Sequence, residues 1–221
     1  MNTRTTFALL FASAVAAGLW LLRFLYSGSL AHAGLLWNLF LAWMPLLAAV
    51  QALRQRRAWG QLAYGSLWLL FLPNAPYLLT NVARLGWGGR ALLWYDLIML
   101  LAFAFTGLLL GFTSLILLQG RVAQKWGGAA GWLFAAAALG LSSFGVYLGR
   151  FLRWNSWDLL LRPSAVLRDV LAVAAHPLTY WRPWAFTLLL ATILAFTYAA
   201  LLALPRLLPA VRTGRSEHPL P

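Results

Sequence analysis

The chain has 221 residues, 62% of them hydrophobic and only 10% charged, with a mean hydropathy of +0.77; this excludes a soluble domain with a polar exterior and makes the chain an integral membrane protein. Its net charge of +13, from 17 Lys plus Arg against 4 Asp plus Glu, would point to nucleic acid in a soluble chain. Between membrane spans, basic residues instead orient helices and meet anionic headgroups, so membrane lipids and not nucleic acid are the expected partners. The absence of cysteine excludes disulfides, thiolate metal ligands and thiol catalysis. His32, His176 and His218 fall in loops or the tail, which argues against a haem held inside the bundle. No metal site is expected, and the sequence identifies neither a cofactor nor a protein partner.

Apolar runs bounded by charge or by Gly and Pro predict six helices, at about 5–26, 34–53, 60–80, 93–118, 128–149 and 184–204. The predicted fold class is all-α, a polytopic membrane bundle forming one domain over residues 1–212, followed by a disordered tail over 213–221. The first run has features of a secretory signal, with Arg4 ahead of an apolar core and Ala14-Val15-Ala16 resembling a cleavage site. Its apolar character continues to Leu25, however, so a retained helix is expected.

The third span is interrupted by Leu72-Pro73-Asn74-Ala75-Pro76-Tyr77. Each proline removes a backbone donor and biases Leu72 and Ala75 away from helical geometry, so a break is expected there. Gly60 to Leu72 climbs only about 20 Å, which puts the break toward one end of the span. Irregular backbone at membrane depth is tolerated only inside protein or against a wet cavity. Asn74 then either caps the continuation or hydrogen-bonds a ligand, with Tyr77 beside it; the plainer alternative is a turn that ends the helix.

Further along, Gly107 with Gly111 and Gly145 with Gly149 give small-xxx-small spacings that predict close approach of the fourth and fifth spans. In the long fifth loop, Pro163-Ser164 opens a short helix on the membrane surface, with Ser164 as candidate cap and His176-Pro177 as its end. Most of the 13 Trp sit near span ends, where an amphipathic ring suits the headgroup layer. Outside that fifth loop, the basic residues of the connections and termini divide nine against three, which predicts both termini in the cytoplasm of an inner (plasma) membrane and the fifth loop outside.

Two acidic motifs join the proline motif on that outer side. In Trp94-Tyr95-Asp96 the carboxylate occupies the first turn of the fourth span, where the helix dipole favours it by a few tenths to about 1 kcal/mol. Alternatively it is held at the rim of an outward cavity, with Tyr95 next to it. Gly149-Arg150-Phe151-Leu152-Arg153-Trp154-Asn155-Ser156-Trp157-Asp158 is the densest polar cluster in the chain. Arg150 and Arg153, three apart, share a helix face and offer guanidinium forks suited to phosphate or carboxylate. The structural alternative is a salt bridge from either arginine to Asp96 or Asp158.

Taken together and in order, LPNAPYLLT, WYDL and GRFLRWNSWD within a six-helix chain resemble the bacterial membrane protein family catalogued as domain of unknown function 1361. The resemblance implies a multi-pass membrane protein and carries no established activity.

No phosphate loop, zinc-helix motif, nucleophile elbow or dinucleotide fingerprint is present, which disfavours ATP-driven pumping and the familiar hydrolase classes. One expectation is binding or processing of an anionic or lipid-linked ligand at the outer face. Arg150 and Arg153 would grip it, Asn74, Tyr77, Tyr95, Asn155 and Trp157 would surround it, and Asp96 or Asp158 would act as catalytic base. A second is a small transporter or ion pathway, in which the broken third span supplies carbonyls and Asp96 supplies charge. A third is a structural subunit whose polar cluster only locks helices together.

Overall fold

A computed structural model of the chain describes residues 2–30, 32–85, 92–176 and 179–207, and the predicted tail lies outside them. Among the described residues the chain is all-helical: α1 (Thr3–Ser27), α2 (Gly34–Arg54), α3 (Ala58–Phe71), α4 (Asn74–Thr80), a 3-10 turn (Asn81–Arg84), α5 (Leu93–Trp126), α6 (Gly128–Phe151), α7 (Asp158–Leu161), α8 (Pro163–Ala175) and α9 (Trp181–Leu207). Six stretches are long and apolar enough to cross a bilayer, with Ala58–Arg84 counting as one. The protein is thus a polytopic helical membrane bundle. Six crossings put the C-terminal ends of α1, of the 3-10 turn and of α6 on one side, here called the motif face.

Helix α5 runs to Trp126 instead of stopping near residue 118. Between Gln119 and Trp126, Gly120 weakens a helix without ending it, and the helix stops at Gly127, which turns to φ 90°. At 34 residues it is about 50 Å long, more than a bilayer core needs. It is also the hub of the bundle, packing against α1, α2, α4 and α6, while α9 packs on α6.

The proline motif departs from expectation in an informative way. Leu72 remains right-handed helical (φ −52°, ψ −39°), as does Pro73 (φ −58°, ψ −25°). The prolines interrupt hydrogen bonding without unwinding the chain. Ala75 N–H donates to the Leu72 carbonyl at 3.1 Å, an i to i−3 bond in a locally tightened turn. The Phe71 carbonyl, freed by that shift, is met by the Asn74 side-chain amide at 3.0 Å. The orphaned acceptor therefore faces protein, as bilayer physics requires.

The glycine pairs do not join α5 to α6 as their spacing predicts. A methyl added at Gly107 would lie 2.5 Å from the Ala75 carbonyl oxygen, and one at Gly111 would lie 2.8 Å from the Ala75 Cβ. At Gly145 it would collide with the Pro73 ring, and at Gly149 it would touch Tyr77 at 3.5 Å. Both stripes are seats for the short α4, which is clasped between α5 and α6. Small residues admit close backbone approach, but the partner is the proline motif itself.

Helix α8 starts at Pro163 as its first helical residue, so Ser164 lies inside the first turn and makes no capping bond. It ends at Ala175 with His176 as the following residue. Val166 and Val173 on it are buried, and the Trp184 indole donates to the Val173 carbonyl at 3.3 Å. The helix is docked onto the bundle end.

Candidate functional site

Two adjoining cavities open at the motif face. The larger, about 390 Å³, lies where α3 and α6 part, with α2 behind and the loop after α6 over it. Trp37, Leu70, Pro73, Phe144, Leu148 and Trp157 make most of its wall apolar, and Asn38, Ser66, Asn74 and Ser156 add isolated polar groups. The smaller, about 350 Å³, is lined by Tyr77, Arg84, Gly149, Arg150, Arg153 and Asn155. Tyr77, Gly149 and Asn155 belong to both, so an apolar crevice and a basic depression share a wall.

Local sequence builds this arrangement. Arg150 stands in the last turn of α6, where the helix dipole favours a cation. Two residues past the helix end, Arg153 adopts φ 61°, the left-handed region usual for Gly and uncommon for a long side chain. The Trp154 N–H returns to the Leu148 carbonyl at 3.2 Å and closes the helix end around it. This reversal brings Arg153 to the same depression as Arg150. Asn74 donates to the Ser156 hydroxyl at 2.9 Å, tying the proline motif to the loop. Trp157 meets Trp37 edge-on at 6.2 Å.

The acidic residues of that loop are engaged elsewhere. Asp158 Oδ2 accepts from the Asn155 backbone N–H at 2.7 Å and from its side-chain amide at 3.1 Å. Asp169 accepts from the Trp154 indole at 2.8 Å. Among the described residues, neither Arg150 nor Arg153 is in an ion pair, and no Asp, Glu or His lines either cavity.

Asp96 belongs to a second cluster between α1 and α5. It is fully buried and takes a two-pronged bond from Arg23, with Nε at 2.6 Å and Nη2 at 3.2 Å. The Arg23 side chain is 1% exposed, and its remaining nitrogen reaches Ser27 at 3.2 Å. His32, in the connection to α2 and itself at φ 65°, places Nε2 3.6 Å from the Asp96 carboxylate. Burial holds the His32 pKa below its ordinary value, helped by the positive charges of Arg23 and Arg84 and opposed by Asp96. The Tyr95 hydroxyl donates to the Leu19 carbonyl at 2.7 Å.

The expected single cluster is therefore divided. Asn74, Tyr77, Arg150, Arg153, Asn155 and Trp157 gather around the two cavities, while Tyr95 and Asp96 sit with Arg23 and His32, and Asp158 turns to Asn155. The salt bridge anticipated from Arg150 or Arg153 to an aspartate is not formed; Arg23 takes Asp96 instead, and low dielectric leaves little choice once both are buried. Sequence reasoning missed Arg23 and Arg84 as site residues. Both are basic residues close to a span end on the motif face, two of the three that the charge bias of the short connections counts on that side. Arg84 links the clusters, lining the basic depression while its charge acts on His32.

No match was found among curated proteins or among solved structures. The family described as protein of unknown function (DUF1361) matches residues 37–197. That range holds most of α2 through most of α9 and both cavities, and leaves out α1, which supplies Arg23. With most of its length matched, the chain belongs to the DUF1361 family of proteins of unknown function.

Proposed function

We propose that the motif face binds an anionic, membrane-resident amphiphile, with its charged headgroup in the arginine depression and its apolar part in the crevice between α3 and α6. The observation that carries this reading is the shared wall of Tyr77, Gly149 and Asn155 between a basic and an apolar cavity. A guanidinium fork suits phosphate or carboxylate oxygens, and a mostly apolar pocket of several hundred cubic ångströms with few polar groups suits an acyl or prenyl chain. The site favours holding over transformation, because neither cavity presents a carboxylate or imidazole. Asp96 and Asp158 are accordingly not retained as bases.

The test exploits the backbone at Arg153. Glycine is at ease at φ 61°, so Arg153→Gly is expected to leave thermal stability unchanged or raise it by up to about 1 kcal/mol. The same change should weaken binding of anionic lipid to the purified protein by about tenfold or more, the loss of one charge-assisted contact. Unchanged affinity in a folded variant would remove the arginine depression from the site.

We place the motif face outside the cytoplasm of the inner (plasma) membrane, with both termini inside, on the charge bias of the short connections. Single cysteines at exposed Ser164 and Gln124 should differ in cells whose outer barrier is opened, Ser164→Cys reacting with an impermeant maleimide and Gln124→Cys not. The reverse pattern would turn the site toward the cytoplasm.

A further inference from the structure

Resting on that reading, we infer that the headgroup is a doubly charged phosphate monoester at the end of a lipid, and not a phosphodiester. Arg150 and Arg153 bring two positive charges to one depression, and neither has an ionic partner among the described residues. The nearby carboxylates of Asp158 and Asp169 bond to Asn155 and the Trp154 indole and not to the arginines. Arg84 forms a further wall, but its charge is also felt by His32 beside Asp96, so it belongs in part to the other cluster. Arg150 and Arg153 thus supply at least two positive charges to a ligand in this depression. A phosphate monoester carries about −1.5 to −2 near pH 7 and offers three terminal oxygens; a diester carries one charge and two such oxygens.

Geometry favours the monoester as well. Arg150 stands in the last turn of α6 and Arg153 in the reversed turn beyond it, and both line the depression; a terminal phosphate, with three oxygens open to donors, can meet both guanidinium groups at once. Tyr77 and Asn155 line the same space and add neutral hydrogen-bonding groups. Free phosphate would satisfy the arginines, yet it would leave the contiguous apolar cavity of about 390 Å³ without an occupant. A lipid fills both.

Trp37, Trp154 and Trp157 line the apolar cavity, so quenching of tryptophan fluorescence by acyl chains carrying bromine reads occupancy in the detergent-purified full chain. The probes are brominated phosphatidic acid, its singly charged methyl ester phosphatidylmethanol, and phosphatidylcholine, with inorganic phosphate as competitor. Phosphatidic acid should saturate at about a ten- to hundredfold lower concentration than phosphatidylmethanol. Arg150→Gln with Arg153→Gln should abolish that preference, as should Arg153→Gly, whose fold is expected to survive. Inorganic phosphate should not displace the lipid at concentrations comparable to it. Equal affinity for phosphatidic acid and phosphatidylmethanol, both above phosphatidylcholine, would overturn the monoester and leave the anionic-amphiphile reading standing. Equal affinity for all three lipids would overturn both. Displacement by inorganic phosphate as readily as by phosphatidic acid would make free phosphate, not a lipid, the ligand.

Discussion

Asp96→Ala is expected to destabilise the protein by about 3–5 kcal/mol, because it leaves the Arg23 guanidinium buried beside α5 with no counter-charge. The pair itself need not be a net source of stability. Taking both ions out of water costs about as much as their attraction returns, so an apolar replacement of both is often neutral or better. Arg23→Met combined with Asp96→Leu should therefore recover most of what Asp96→Ala loses, as measured by thermal unfolding in detergent. A single variant as stable as the parent would mean that the charge escapes to the headgroup layer and that the pair is not sealed. The double variant also separates the two clusters functionally. Because Arg84 lies between them, lipid binding that disappears in a stable double variant would make the Arg23–Asp96 cluster part of the amphiphile site, whereas retained binding keeps it as the clamp that fastens α1 to the family domain.

The spans were legible because bilayer thickness writes itself into the chain as apolar length, and the charged or Gly-Pro connections punctuate it. Residues 34–53 predicted against Gly34–Arg54 observed, and 128–149 against Gly128–Phe151, show how close that reading comes. The end of α5 was misjudged because Gln119 to Trp126 is polar enough to leave the membrane without being a reason to stop a helix. The candidate site's geometry was half legible. Local motifs disclosed Asn74, Tyr77, Arg150, Arg153 and Asn155, since each lies where an irregular or charged segment meets a span end. Pairing was not legible, because Arg23 and Asp96 are 73 positions apart and nothing local distinguishes Arg23 from Arg150 as the partner. The left-handed turn at Arg153 was hidden for a related reason: arginine gives no sequence sign of a conformation that glycine would announce.

Gly107→Ala is expected to disturb the site without touching it. The added methyl would stand 2.5 Å from the Ala75 carbonyl oxygen and 2.8 Å from Leu78 Cδ1. The oxygen is backbone and cannot step aside unless α4 moves. Overpacking of this kind costs about 1–3 kcal/mol, and Gly107→Val should lie at the upper end or beyond. Because α4 is clasped between α5 and α6, the shift reaches Pro73 and Asn74 in the apolar cavity and Tyr77 in the shared wall. Affinity for anionic amphiphile should fall along with stability. Gly120→Ala on the same helix is the control, since nothing lies within 4 Å of its added carbon and the only effect left is the helix propensity of alanine, up to about 1 kcal/mol in favour of the variant. If Gly107→Ala were as stable as Gly120→Ala and bound lipid as tightly as the parent, α4 would not be seated on the α5 glycines, and the proline motif would owe its position to the loop contact between Asn74 and Ser156 instead. In that event Ser156→Ala, and not Gly107→Ala, should loosen the site.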